Sequence, residues 1–213
     1  MKTDDLISVL STNVEVVDHR RVGRNICMVI VAGAAMAVAT VFLVLGPRAG
    51  LTTLEPLLPP LLKVAFTLII LVPASLYLIR LTRPGGERRA SVALAAFPFI
   101  AVMLLVVLSF GFAPSSHWGA TIHSDQWLEC LISIPLIAIA PFSVIVWAVR
   151  QMAPTDLART GAFAGLVAGS LSATGYALHC ADDSVPFFAV WYGGTIALCT
   201  FAGWKLGPRL LRW

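Results

Sequence analysis

Long apolar runs broken by short polar segments set the pattern of this chain. Six runs carry it: Ile26–Gly46, Leu61–Ile79, Ala90–Phe112, Cys130–Val149, Gly161–Leu178 and Pro186–Trp204. Each is close to the roughly 20 apolar residues that a helix, rising about 1.5 Å per residue, needs to cross a bilayer core about 30 Å thick. None alternates apolar with polar positions, which excludes a transmembrane β-barrel. Among them stands a single Lys, Arg, Asp or Glu: Lys63, near one end of the second run, where its long stem lets the ammonium snorkel to the surface. The pattern predicts an all-α membrane protein, a bundle of six transmembrane helices. A soluble bundle built from the same runs would lack the polar surface to dissolve.

Composition agrees and charge adds the orientation. The 213 residues are 58% hydrophobic and 12% charged, against about 25% charged in soluble domains. Of the 15 Lys and Arg residues, all but Arg48 and Lys63 fall in alternate polar segments that include both ends of the chain. The positive-inside rule therefore places both termini in the cytoplasm. The formal charge of +4 is thus a topology signal, and basic residues scattered at span ends give no direct nucleic-acid partner. The expected organisation is a cytoplasmic amphipathic segment over 1–25, a six-helix transmembrane domain over 26–204 and a basic cytoplasmic tail over 205–213. The polar stretch before the first run includes Asp4 and Asp5, and the run is too long for the core of a cleaved signal peptide.

The N-terminal segment has a helical pattern of its own. Thr3 can cap a helix, with Asp4 and Asp5 in its first turn where the helix dipole favours acids. Leu6, Ile7, Leu10, Val14 and Val17 then share one face, and Asp4, Ser8, Ser11, Glu15 and Asp18 the other. Helices that lie on membranes usually carry Lys and Arg on the polar face. An acidic face is repelled by anionic headgroups, so docking onto a protein partner is the preferred reading.

The spans hold no deep carboxylates or bases for ion coupling. The loops hold no phosphate-binding glycine motif, Ser/His/Asp arrangement or paired catalytic carboxylates, so no enzyme is expected. Pro73, Pro98, Pro135, Pro141 and Pro186 read as kinks repaired by neighbouring helices. Gly161, Gly165 and Gly169 recur every fourth residue on one face of span five and admit a close neighbour; span four is the natural candidate. Cys27 and Cys199 read as packing residues.

Cys130 and Cys180 differ. Span four runs inward from Cys130 and span five outward to Cys180 over similar lengths, which brings both thiols to one outer depth on the oxidising side. Near them in the outer segments lie His117, His123, Asp125, Glu129, His179, Asp182 and Asp183. Three readings stay open: a redox thiol pair, inert interface residues, or a soft metal site using Cys130, Cys180, His179, His117 and His123. No resident cofactor is expected, beyond a metal ion bound transiently as a signal.

The opening Met1-Lys2-Thr3-Asp4-Asp5-Leu6-Ile7 resembles the start of NrsF-type bacterial proteins, six-span regulators of extracytoplasmic-function sigma factors. So do Tyr176-Ala177-Leu178-His179-Cys180 with Ser184, Ala189-Val190-Trp191-Tyr192-Gly193 and the closing Arg209-Leu210-Leu211-Arg212-Trp213. The resemblance runs over essentially the whole chain. It implies an inner-membrane anti-sigma factor that holds an extracytoplasmic-function sigma factor inactive and releases it under stress such as heavy metals. Its two sensing cysteines would map onto Cys130 and Cys180. The helix of Asp4, Asp5, Leu6, Ile7, Leu10, Val14 and Val17 is then the candidate sigma-binding element. The alternatives are a membrane thiol-disulfide oxidoreductase and, more weakly, a small-solute or metal transporter.

Overall fold

The structure is a computed structural model that describes residues 19–46, 58–83, 127–152, 154–182 and 184–212, with positions 3, 5, 96–98, 100, 101, 103, 104, 107, 108 and 111. The main described elements are five helices: α1 (His19–Thr40), α2 (Leu58–Leu81), α3 (Trp127–Arg150), α4 (Leu157–Tyr176) and α5 (Val185–Leu210). A π-helical turn, Val41–Leu45, extends α1. The wider turn closes through the Gly46 N–H, which donates to the Val41 carbonyl at 2.9 Å. Gly46 then leaves the helix with φ of +80°, a conformation suited to glycine. The described positions between 96 and 111 are helical, and the rest of the third predicted span lies outside the described residues.

The helices outrun the apolar stretches that announced them. α1 begins at His19, inside the expected N-terminal segment, and α5 continues to Leu210 through the expected tail. Helical hydrogen bonding carries on where side chains turn polar, so hydropathy alone underestimates length. The prolines are absorbed: α2 runs through Pro73 and α3 through Pro135 and Pro141. Pro186 starts α5 rather than interrupting it, at a position whose N–H has no helical partner to lose.

Four described helices are long and apolar enough to cross a membrane: Gly23–Leu45, Pro60–Leu81, Trp127–Arg150 and Val185–Leu210. α4 is different in kind. It packs against α1, α2, α3 and α5, and nearly every residue from Thr160 to Tyr176 is buried. The large exposed apolar side chains, among them Val31, Leu43, Leu136 and Trp147, all belong to other helices. The bundle therefore turns apolar side chains outward around a smoother, more polar centre, the inverse of a water-soluble core.

The hydroxyls of α4 tolerate this burial because its own backbone satisfies them. Ser170 donates to the Leu166 carbonyl at 2.8 Å, and Ser172 to that of Ala168 at 2.9 Å. Thr174 donates to the Ser170 carbonyl at 2.8 Å and also lies 2.9 Å from the Thr67 hydroxyl of α2. At its start Asp156 accepts from the Arg159 N–H at 3.0 Å, capping the helix.

The glycine face of α4 meets α5, correcting the expectation that span four would be its neighbour. A Cβ on Gly161 would collide with the Gly203 carbonyl and the Gly207 backbone, and one on Gly165 with the Cys199 carbonyl. Cys199, Gly203 and Gly207 repeat the four-residue spacing, so each helix offers small residues where the other's backbone arrives. α3 meets α4 with bulkier residues and lacks such a complement. Cys199 is buried in this seam, as expected of a packing residue, whereas Cys27 is exposed on α1. The 3.6-residue repeat turns Cys27 outward beside the buried Ile26.

Candidate sensory site

One end of the bundle gathers the outgoing end of α1, the starts of α2, α3 and α5, and the turn that follows α4. Cys130 lies in the first turn of α3, and Cys180 just after the turn 177–179 that ends α4. Separated by fifty positions in sequence, the two sulfurs come within side-chain hydrogen-bonding reach of each other. Both are buried, and no disulfide joins them.

A third helix supplies the charge. Lys63, in the second turn of α2, does not snorkel: it is 0% exposed, and its Nζ donates to the Cys180 carbonyl at 3.0 Å. The α2 rotation that buries Phe66 and Ile70 also turns Lys63 inward. The Tyr176 hydroxyl reaches Cys130 from α4. Tyr192 of α5 points its hydroxyl at Cys180, although no hydrogen bond of good geometry closes there.

Aromatic rings wall this cluster. Trp127 and Trp191 pack at 5.2 Å between centroids, Tyr176 and Tyr192 at 6.1 Å, and Phe66 meets Phe188 edge-on at 5.6 Å. The turn itself is pinned at both sides. His179 donates from Nδ1 to the Gly46 carbonyl at 2.8 Å, which ties the cysteine turn to the end of α1. Asp182 accepts from the Ser184 N–H at 3.0 Å and its hydroxyl at 2.7 Å, shaping the approach to α5.

The electrostatics separate the two thiols. A hydrogen bond from Cys130 and the nearby Lys63 ammonium outweigh the desolvation of burial and bring the Cys180 thiol down to about 6. The pair is thus polarised, with Cys180 the more acidic thiol and Cys130 the one that keeps its proton. An asymmetric pair of this kind has a nucleophile and a resolving partner, the arrangement needed to form a disulfide reversibly.

The other expected site residues divide. His179 is present but engages α1 rather than the sulfurs. His117 and His123 lie outside the described residues, and among those described no three His, Cys, Asp or Glu side chains converge as a metal-binding group. Asp4, Leu6, Ile7, Leu10, Val14 and Val17 also lie outside them, while Thr3 and Asp5 are helical and exposed. Sequence reasoning missed Lys63, Tyr176 and Tyr192 as members of the thiol cluster. The signal for Lys63 was available: it is the one charged residue in the apolar runs.

The far end of the bundle carries Arg24, Arg80, Arg83, Arg150, Arg159, Lys205 and Arg209. Among the described residues Lys63 is thus the cation at the thiol end, and the other basic groups cluster at the opposite one.

Comparison with known proteins yields one family. The family described as NrsF, negative regulator of sigma F, matches residues 10–213. A probable anti-sigma-F factor NrsF of Azospira oryzae is 27% identical over 215 residues, covering 100% of both chains. The anti-sigma-F factor NrsF of Caulobacter vibrioides is 31% identical over 220 residues, again covering 100% of both. No solved structure matches the chain. A match over nearly the full length, joined by a relative of this identity, makes the chain a member of the NrsF family of negative regulators of sigma F.

Proposed function

We propose that this chain is a six-span inner-membrane anti-sigma factor with both termini in the cytoplasm. It sequesters an extracytoplasmic-function sigma factor and releases it when the Cys130–Cys180 pair, on the outer side, is oxidised. The clustering of basic residues away from the thiol end supports this orientation. The observation that carries the sensing step is the buried meeting of Cys130 and Cys180 beside Lys63. Two thiols that interact in one pocket, one of them acidified, are suited to forming a disulfide, whereas inert interface cysteines need neither a shared pocket nor a buried cation.

The acidic-faced segment Met1–Asp18 is the sigma-binding element of this reading. It leads directly into α1, whose far end His179 grips. A change at the thiols thus has a continuous helical route to the cytoplasmic side. A tenfold weakening of sigma binding requires only about 1.4 kcal/mol of coupling.

The oxidoreductase alternative needs a second thiol pair or a quinone site to pass electrons on. Cys27 is exposed on α1 and Cys199 is buried between α4 and α5, and neither is paired. The test is the Cys130→Ser/Cys180→Ser double variant with a sigma-dependent reporter under oxidant stress. Loss of induction with normal repression in the unstressed cell is expected; an unchanged response refutes the sensing role.

A further inference from the structure

Between α3 and α5, on the basic half of the bundle, the packing leaves a recess of about 130 Å³. Gly165 and Ala168 of α4 form its floor, Ile139 and Phe142 one wall, and Ala202 and Leu206 the other. α4 offers nothing larger than a methyl group at the two floor positions, so the walls stand well above it. The lining is almost wholly apolar. Ile139, Leu198 and Leu206 are exposed around the mouth, so the recess opens outward from the bundle. An apolar space of this size stays dry, and in a bilayer the material that reaches it is hydrocarbon. A helix, about 10–12 Å across with its side chains, is too broad to seat in it, whereas a single acyl chain fits.

Charge selects among lipids. Arg209 of α5 stands eleven residues beyond Leu198, and Arg150 of α3 eleven beyond Ile139. Eleven residues make about three turns, so each arginine continues the face of its rim residue toward the basic end. Both arginines are exposed. Trp204, 46% exposed, lies under the Lys205 ammonium at 5.1 Å from the ring centroid. Rings and ammonium groups of this kind gather where hydrocarbon gives way to headgroups. Leu206 is only two positions further on, so the recess ends at headgroup level with cations just beyond it. Arg159 of α4 shares that end but is held by Asp156 at 3.1 Å.

We propose that this groove binds an anionic phospholipid: one acyl chain lies in the recess between α3 and α5, and the phosphate meets Arg150 and Arg209. Basic pockets between transmembrane helices recognise such headgroups, and a guanidinium offers paired donors that match phosphate oxygens. The orientation proposed above makes the lipid one of the cytoplasmic leaflet; the site itself depends neither on that orientation nor on thiol sensing. A bound lipid ties α3 to α5 across the glycine and alanine floor of α4.

The test uses the full-length protein purified in detergent, where no leaflet enters. Phosphatidylglycerol and phosphatidylcholine with the same acyl chains are titrated, and bound lipids are counted by native mass spectrometry. Phosphatidylglycerol should bind more tightly by roughly 10- to 30-fold, the worth of two basic contacts. Arg150→Gln/Arg209→Gln should remove that preference. Arg24→Gln/Arg80→Gln, the same change of charge on α1 and α2, should keep it. Equal affinity for the two lipids in the wild type overturns the proposal, because no headgroup is then recognised. The same loss in both double variants also overturns it, since only a diffuse field is then at work.

A second measurement needs no variant. Phosphatidylglycerol with a photoactivatable group midway along one acyl chain is crosslinked to the wild-type protein, and the adducts are mapped by peptide mass spectrometry. They should concentrate at Ile139–Phe142 and Leu198–Leu206, and excess unlabelled phosphatidylglycerol should displace them. Adducts spread evenly onto exposed apolar positions elsewhere, such as Val31 and Leu43, overturn the proposal. Adducts absent from the groove, whether the species holds one chain or two, mean that another segment or a second copy occupies it, and overturn the proposal as well.

Discussion

The α4–α5 seam gives the sharpest stability prediction. Replacing Gly165 with Ala places a Cβ 3.0 Å from the Cys199 carbonyl carbon and 3.2 Å from the Gly203 Cα, and closer still to the Cys199 carbonyl oxygen. All three are backbone atoms, so no side-chain rotation relieves them and the helices must separate. Overpacking of this sort costs about 1–3 kcal/mol. Alanine also raises helix propensity by up to about 1 kcal/mol over glycine, so the measurement needs a calibrant. Gly194 provides it, because a Cβ there meets nothing within 4 Å. Gly165→Ala should therefore fall below Gly194→Ala by about 1–3 kcal/mol. At about 2–4 °C per kcal/mol for a chain of this size, that is roughly 2–12 °C in Tm. Thermal unfolding of the purified protein in detergent, followed by circular dichroism, reads the difference. Equal Tm shifts in the two variants would show that α4 and α5 are not in backbone contact.

Alkylation of Cys180 in a Cys130-intact protein should reach half its maximal rate near pH 6, because its thiol is depressed to about 6 by the Cys130 hydrogen bond and Lys63. Its rate should fall as pH drops through that value, and a midpoint near pH 8 to 9, the range of an unperturbed thiol, would remove the nucleophile assignment. His179→Ala deletes the 2.8 Å bond to the Gly46 carbonyl. Hydrogen exchange should then quicken over Val41–Gly46 while α4, sealed by its neighbours, keeps its protection.

The pattern of apolar runs anticipated the helices, because a bilayer imposes a length on any segment that crosses it. Pattern could not supply rotation. Cys27 was assigned to packing from its place beside an apolar run, yet one residue separates the buried Ile26 from this exposed thiol. Lys63 failed for the same reason: its depth suggested snorkelling, and only the packing of α2 decides that its stem turns inward. The meeting of Cys130 and Cys180 was legible as a shared depth, since antiparallel helices of similar length return the chain to the level it left. The partner of the glycine face was misjudged because adjacency in sequence favoured span four. The matching Gly203, in the sixth run, and Gly207, just beyond its end, were available and decide for span six.

α4 also constrains how the protein is made. Its glycines, hydroxyls and Arg159 leave it poorly suited to partition into lipid by itself. The strongly apolar α5 follows after a turn of only a few residues and carries the complementary groove. The two are therefore expected to enter the bilayer as a hairpin, α4 waiting at the insertion machinery until α5 emerges. A chain cut after α4 would leave that helix stranded outside the hydrocarbon, with the spans before it inserted around an empty centre.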